Sequence, residues 1–216
     1  MSTMNVLIFG ATGFSGQLIL AESLARGYHV TALVRKRSGV NLHHPNLTIV
    51  EGNVLKHSDV ANVLRGQEVV IQCLGVGGKG NGEPTTFVSD ATRIIVREME
   101  QAGVRKLIAM SNAGAGNSIA FQPRIFTRFI LPYVMKWLKV IIDDKNRMEP
   151  IIMDSHIDWT IVRCPNITEK QAKNRVTASL DGKGLTMSIT NPDVATFIVD
   201  QIASDMFSRQ APSISN

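Results

Sequence analysis

The chain has 216 residues, of which 44% are apolar and 19% are charged. That length fits one domain with a continuous core, and the composition excludes an intrinsically disordered chain. The formal net charge of +5 favours an anionic partner without choosing between nucleic acid, a phosphorylated cofactor and an acidic metabolite.

Short apolar runs alternate with helical patterns along the chain. Strands are predicted at 5–10, 29–35, 47–53, 68–75, 106–112, 158–166 and 175–182. Helices are predicted at 14–26, 58–66, 86–102, about 125–153 and 193 to about 203. This alternation predicts an α/β fold, a single-domain Rossmann-like doubly wound parallel sheet with helices on both faces. We expect that domain to cover residues 1–208 and a flexible C-terminal tail to follow at 209–216.

Several features bear on the compartment of the protein. The first predicted strand starts within a few residues of the N-terminus, so we expect no signal peptide. Cys73 and Cys164 lie in strand-like runs without disulfide or metal spacing, which favours buried free thiols in the cytoplasm. His43 and His44 lack a third ligand, so no metal site is predicted. The longest apolar stretch is too short to span a bilayer, and we expect no stable membrane insertion.

The first strand ends in the sequence GATGFSG. Three glycines have the spacing G-x-x-G-x-x-G, and they lie between a predicted strand and a predicted helix. A pyrophosphate can approach the exposed amides of the helix N-terminus only where backbone replaces side chain. This pattern predicts a dinucleotide-binding turn, and a glycine-rich turn without a ligand is the alternative. The predicted contacts are Gly10, Thr12, Gly13, Phe14 and Ser15.

The end of the second strand bears on the choice between NAD and NADP. NAD-binding sheets usually carry Asp or Glu there, to accept from the adenosine ribose, whereas this chain has Arg35. A guanidinium can bind a 2′-phosphate bidentately and stack on the adenine, so Arg35 predicts NADP(H) as the cofactor. We expect the adenine beside Asn53 and Val54, and the cofactor ribose beside Leu74 and Gly75, where the third and fourth strands end.

A family resemblance rests on the order and spacing of seven motifs. They are IFGATGFSG, GYHVTALVR, EPTTFVSDATRIIV, GVRKLIAMSNA, DDKNRM, IDWTIVRCPNI and SLDGKG. The chain resembles the atypical, NmrA-like short-chain dehydrogenases/reductases, and within them the biliverdin reductase B family of NADPH-dependent flavin reductases. The resemblance implies NADPH as hydride donor and planar aromatic acceptors, such as flavins or linear tetrapyrroles, bound over the nicotinamide. We also count Pro165 and Asn166, at the end of the predicted sixth strand, among the expected cofactor contacts.

The residues expected at the reacting end depart from the superfamily pattern Tyr-x-x-x-Lys. Lys145 aligns with the lysine that holds the nicotinamide ribose, but Ile141 stands where the proton-donating tyrosine should be. We therefore favour ligand contact over a solvated charge for Lys145. Ser111 either bonds the ligand or caps its strand, and Asn112 can bond a substrate but cannot act as a general acid near neutral pH. Ser111, Asn112 and Lys145 are the predicted reaction-site residues.

The predicted function is reduction of a flavin (FMN or riboflavin) or a linear tetrapyrrole by NADPH. Flavin reduction tolerates the missing tyrosine, because the reduced ring can take its proton from water. The alternatives are a catalytically silent NADP-binding redox sensor and a quinone reductase of the same fold. No nucleic-acid partner is expected, since neither a recognition helix nor a basic arm is evident, and we expect a monomer or weak dimer.

The segment 124–139 interleaves basic and aromatic residues. Its basic residues are Arg124, Arg128, Lys136 and Lys139, and its aromatic residues are Phe126, Phe129, Tyr133 and Trp137. Such a segment can receive an acidic planar substrate, touch a membrane surface, or pack its aromatic side chains on the core. We expect residues 121–137 to position the acceptor, although the sequence leaves all three roles open.

Overall fold

The computed structural model describes residues 4–76 and 82–216. Its strands are β1 (Asn5–Phe9), β2 (His29–Val34), β3 (Leu47–Glu51), β4 (Val69–Gln72), β5 (Lys106–Asn112), β6 (Asp158–Cys164), β7 (Asn166–Thr168), β8 (Thr177–Ser179), β9 (Ser188–Thr190) and β10 (Ser213–Ser215). Its α-helices are α1 (Phe14–Ala25), α2 (His57–Leu64), α3 (Phe87–Ala102), α4 (Lys136–Met153) and α5 (Asn191–Asp200). A π-helical segment (Phe126–Val134) precedes α4, and 3-10 helices lie at Arg37–Gly39 and Gly116–Phe121.

The main sheet has eight strands in the order β3-β2-β1-β4-β5-β6-β10-β8. Strands β1 to β6 pair in parallel, β10 pairs in parallel with β6, and β8 pairs antiparallel with β10. A separate pair joins β7 to β9. The chain runs outward from β1 to β3 and then returns to β4 on the other side of β1, so β1 marks the point where strand order reverses. This topology confirms the predicted Rossmann-like doubly wound sheet, and ligands of such sheets bind at the carboxyl ends of the strands near that point.

Helices cover both faces of the sheet, which explains why the central strands are apolar on both sides. On β1, Val6 and Ile8 belong to a core cluster with α1 and α5, whereas Leu7 and Phe9 belong to a second cluster with α2, α3 and α4. Alternate residues of a strand point to opposite faces, so one short run contributes to both cores. Among the described residues, no helix is both long and apolar enough to cross a membrane.

The C-terminal residues form a strand rather than the predicted flexible tail. Ser213, Ile214 and Ser215 are buried, and they pair with both β6 and β8. Ile214 packs into the core cluster beside α5. The prediction was wrong here because the polar sequence of this segment suggested fraying, whereas the open edge of β6 supplies hydrogen-bond partners that local sequence does not reveal.

The helix predicted over about 125–153 is divided in two. Met135 has φ −111° and ψ 48°, outside the helical region, and it separates the π-helical segment from α4. Proline at position 132 has no N–H to donate, which disrupts the regular α-helical hydrogen-bond pattern in this part of the chain.

Candidate cofactor and reaction site

A cleft with a volume of about 650 Å³ opens where the central parallel strands end. Most of the predicted site residues line it, namely Gly10, Thr12, Gly13, Phe14, Ser15, Arg35, Asn53, Val54, Leu74, Gly75, Ser111, Asn112 and Lys145. Pro165 and Asn166 are not among the lining residues. Asn166 instead begins β7, where its backbone N–H donates to the carbonyl of Met187. The fold thus brings together residues that the sequence scatters over more than 130 positions.

The turn between β1 and α1 leaves no room for side chains. Gly10 has φ +93°, and a Cβ built on it would lie 2.7 Å from the carbonyl oxygen of Cys73. A Cβ on Gly16 would lie 2.0 Å from the carbonyl oxygen of Gly10. The N–H of Gly13 donates to that same Gly10 oxygen at 2.9 Å. Close backbone packing therefore requires these glycines and leaves a cradle of main chain at the cleft.

The N-terminus of α1 meets the cleft in a form suited to an anion. Gly13 is the N-cap, no side chain caps the helix, and no acidic residue lies in its first turn. The first N–H groups of an α-helix lack partners within the helix, and the helix dipole places positive potential there. Phe14 and Ser15 carry such amides and both line the cleft. The turn therefore fits the pyrophosphate of a dinucleotide.

Arg35 lies at the exposed end of the cleft, one residue beyond β2. Among residues 4–76 and 82–216, no carboxylate forms an ion pair with it. The nearby carboxylate of Glu51 accepts from the backbone N–H of Arg37 instead. The guanidinium of Arg35 is therefore available for a phosphate group.

Lys145 is a buried cation and not a solvated one. Its side chain lies in α4, the residue is 4% exposed, and Nζ donates to the carbonyls of Met110 at 2.8 Å and Leu74 at 3.3 Å. Burial lowers its pKa to about 8, although the negative charge of Asp144 acts in the opposite direction. The ammonium thus ties the ends of β4 and β5 together where both reach the cleft.

Asp144, which sequence analysis did not select, fixes the position of this lysine. Its carboxylate accepts from the N–H groups of Val88 at 2.9 Å and Ser89 at 3.3 Å, and from the Ser89 hydroxyl at 2.6 Å. These donors lie in the first turn of α3, where free N–H groups and the helix dipole favour a carboxylate. Asp144 therefore holds α4 against α3, and Lys145 is the next residue.

Ser111 is engaged by a buried ion pair that sequence analysis also missed. Its hydroxyl donates to Oε1 of Glu149 at 2.7 Å, and Arg163 donates to the same oxygen from Nε at 3.0 Å and to Oε2 from Nη2 at 2.6 Å. Glu149 is 1% exposed and Arg163 2%. Because its proton is committed to Glu149, Ser111 presents its oxygen to the cleft as an acceptor. The available signal was Arg163 itself, a charge inside the apolar strand DWTIVRC.

Few titratable side chains line the described part of the cleft. They are Arg35, Cys73, Lys145 and Cys164, with no tyrosine or histidine among the described lining residues. Burial raises the pKa of both thiols to about 12, so they stay protonated near neutral pH. Ile141 lines the cleft one turn before Lys145, where the superfamily pattern has its tyrosine. No cluster that could hold a metal ion occurs in the described ranges.

The segment 121–139 contributes no described residue to the lining of this cleft. Ile125, Phe129, Tyr133 and Val134 are instead between 57% and 74% exposed. The expected role of residues 121–137 in positioning an acceptor therefore has no support from the cleft geometry.

Comparison with known proteins places these features in a family context. A family model described as NAD(P)H-binding matches residues 10–205. The yeast UPF0659 protein YMR090W (Saccharomyces cerevisiae) is 26% identical over 214 residues, covering 94% of this chain and 88% of that protein. The divinyl chlorophyllide a 8-vinyl-reductase of Cucumis sativus is 25% identical over 224 residues, and the chain spans 50% of its length. That match covers 93% of this chain.

Solved structures share the fold over nearly the whole chain. ChuY of Escherichia coli O157:H7, described as an anaerobillin reductase, superposes with a TM-score of 0.80. The alignment covers 98% of this chain and 97% of ChuY at 20% sequence identity. At that identity the likeness establishes a shared architecture.

Proposed function

This chain belongs to the NAD(P)H-binding family, and we propose that it is an NAD(P)H-dependent reductase. We further propose that its acceptor is a planar aromatic molecule, either a flavin or a linear tetrapyrrole. The family confirms the predicted nicotinamide dinucleotide. The acceptor class is supported by two similar proteins named as reductases of divinyl chlorophyllide a and of anaerobillin, which are names from tetrapyrrole chemistry.

Within the family's NAD(P)H, we assign NADPH as the physiological donor. Arg35 directly follows β2, where an NAD-specific sheet carries a carboxylate, and it has no ion-pair partner in the described chain. Its guanidinium can bind the 2′-phosphate with two parallel hydrogen bonds. The glycine turn and the uncapped N-terminus of α1 fit the pyrophosphate.

The chain's own residues account for binding and orientation, and NADPH supplies the hydride when it is bound. Lys145 offers a positive charge beside the expected ribose position, at the ends of β4 and β5. Ser111, with its proton held by Glu149, offers an acceptor suited to a carboxamide N–H. Ile141, Met110 and Ile167 give the cleft an apolar wall that keeps water from the reacting face.

The observation that carries the proposal is the absence of a conventional proton donor among the described cleft residues. No tyrosine or histidine lines this part of the cleft, and both thiols hold their protons tightly. A carbonyl substrate needs a placed acid, whereas a reduced flavin can take its proton from water. The same observation fits a catalytically silent NADP-binding sensor, so turnover has to be measured.

An acceptor screen tests the proposal. The purified protein is mixed with NADPH and with FMN, riboflavin, biliverdin or a quinone, and the loss of NADPH absorbance is followed while NADPH affinity is measured separately by fluorescence. We expect turnover with a flavin or with the bilin. Tight NADPH binding without turnover on any acceptor would indicate the sensor, and turnover on the quinone alone would indicate a quinone reductase. Either result would contradict the proposed acceptor class.

A further inference from the structure

Four large apolar side chains face solvent in the segment before α4. Ile125, Phe129, Tyr133 and Val134 are 65%, 57%, 72% and 74% exposed. The segment is π-helical, with about 4.4 residues per turn, so steps of four and five residues return to the same side. Ile125, Phe129 and Val134 therefore form one stripe, with Tyr133 at its edge. Soluble surfaces rarely leave a contiguous apolar stripe of this kind uncovered.

A row of cations runs beside this stripe. Arg124, Arg128 and Lys136 are exposed, and none forms an ion pair with any residue in the described parts of the chain. Arg124 and Arg128 each precede a stripe residue by one position, which places them along one flank of the helix. Lys139, further on, pairs with Asp143 at 2.6 Å.

The sequence concentrates positive charge around this stripe. No aspartate or glutamate occurs between Glu100 and Asp143. Four of the 23 basic residues lie in 124–139 and none of the 18 acidic residues does, so the rest of the chain is close to neutral. The net positive charge of the sequence is therefore concentrated in the segment that carries the exposed apolar stripe.

We propose that residues 124–136 form a peripheral docking surface for bilayers that contain anionic phospholipid. A helix lying in the membrane interface combines apolar and aromatic side chains, which enter the headgroup layer, with Lys and Arg that contact anionic lipid. Tyr133 has the amphipathic ring that favours this layer. The exposed stripe residues and the three cations named above are not among the described residues that line the cofactor cleft.

The charge pattern favours a bilayer over a second copy of the chain. A two-fold contact through residues 124–136 would bring six cations together without an acidic residue from either copy of the segment. Like charges held together at an interface oppose association. An anionic lipid surface neutralises the same cations and accepts the apolar stripe.

Vesicle co-sedimentation tests the proposal with the full chain. We expect the protein to sediment with vesicles of one part phosphatidylserine to three parts phosphatidylcholine, to stay in solution with phosphatidylcholine alone, and to be released as salt rises. The double variant R124E/R128E should weaken partitioning by more than about tenfold, since each cation near the surface contributes roughly fivefold. The double variant F129S/Y133S should weaken it comparably.

Matched variants control for general effects. M187S/M206S removes two apolar side chains outside residues 124–136 that are 58% and 75% exposed. R65E/R97E reverses two exposed charges that also lie outside that segment. Both should keep vesicle binding, and all four double variants should keep NADPH binding and the wild-type unfolding transition.

Three outcomes would overturn the proposal. They are no sedimentation with anionic vesicles at low salt, equal binding to both vesicle types, and equal losses in the matched variants. Light scattering adds a fourth test. A dimer that F129S/Y133S converts to a monomer, together with no vesicle binding, would assign the surface to contacts between copies instead.

Discussion

The two sides of the cleft are built by different means. On the nucleotide side, backbone forms the binding surface, with Gly10 and Gly16 packed so closely that a Cβ on either would overlap a carbonyl oxygen. On the reacting side, buried charged side chains hold the lining groups in place: Lys145 lines the cleft itself, and the Glu149–Arg163 pair holds Ser111, with all three charged residues less than 5% exposed. The glycines of the nucleotide side lie within a few residues of one another in the sequence, whereas the residues of the reacting side come from β5, α4 and β6.

This difference determines which substitutions each side tolerates. A backbone cradle fails when volume is added, because carbonyl groups cannot move aside without unfolding the turn. A buried charge network fails when a partner is removed, because the remaining charge loses its compensation in a low-dielectric interior. Four experiments test this contrast, and we give them in order of decreasing expected effect.

Removing the carboxylate of the Glu149–Arg163 pair should have the largest effect. Glu149→Gln leaves the guanidinium of Arg163 buried without a counter-charge, and it also weakens the hydrogen bond that Ser111 donates. We expect the free energy of unfolding to fall by about 3–5 kcal/mol, measured by urea denaturation.

The double variant E149M/R163M is the control, because it removes both charges and keeps apolar volume in their place. It should lose much less stability than Glu149→Gln. A single variant within about 1 kcal/mol of wild type would mean that this pair does not stabilise the reacting side.

Adding a methyl group to the glycine turn should have the next largest effect. A Cβ at Gly16 would lie 2.0 Å from the carbonyl oxygen of Gly10, so Gly16→Ala should lower the free energy of unfolding by about 1–3 kcal/mol and weaken NADPH binding. Gly75→Ala is the matched control for stability on the same cleft, since its Cβ would meet no described atom within 4 Å. An equal loss of stability in the two variants would contradict the backbone account.

Arg35 is the exception on the nucleotide side, because here a side chain, and not the backbone, is expected to distinguish NADPH from NADH. Arg35→Asp should raise the Kd for NADPH by about 10–100-fold, the loss of a charge-assisted hydrogen-bond pair, and leave the Kd for NADH nearly unchanged. Isothermal titration with both cofactors measures this. Lys36→Asp makes a similar charge change one residue away and should have a smaller effect. Unchanged selectivity in Arg35→Asp would show that another group binds the 2′-phosphate.

The titration of Lys145 should give the smallest effect. Its folded pKa, about 8, lies below its unfolded value of 10.5. Above pH 8 the unfolded state therefore binds more protons at this lysine, and the free energy of unfolding should rise with pH. Cys73 and Cys164 act oppositely as the pH approaches and passes 9.0, because their folded pKa values are raised to about 12 from 9.0. Between pH 8 and 9 Lys145 alone contributes a gain of about 1 kcal/mol, and the two thiols together offset more than half of it, so the expected net rise in the free energy of unfolding is roughly 0.3 kcal/mol.

Urea denaturation across that pH range checks the expectation. Lys145→Met removes the titrating lysine and keeps both thiols, so between pH 8 and 9 its free energy of unfolding should fall relative to wild type by about 1 kcal/mol. Parallel profiles of the two proteins over that range would mean that Lys145 keeps its proton in the folded state.

The sequence by itself determined the Rossmann-like sheet and the nucleotide turn. Both depend on local patterns: apolar runs of strand length, helical periodicity, and glycine spacing within one turn. The same local logic selected Arg35, whereas the family resemblance selected Lys145, and both residues line the cleft.

Only the tertiary structure decided which partners the buried polar groups bind. It also decided that the C-terminal residues form a strand and that Pro165 and Asn166 do not line the cleft. Ser111 donates to a glutamate 38 residues away, and Lys145 donates to a carbonyl 71 residues away, so no local pattern encodes either contact. The residues predicted as a tail found hydrogen-bond partners on the edge of β6, whereas Pro165 and Asn166 lie outside the lining of the cleft. The periodicity of apolar residues along the sequence predicts which side chains are buried. The partner of each buried polar group depends on contacts between residues that are far apart in the sequence, so only the tertiary structure reveals it.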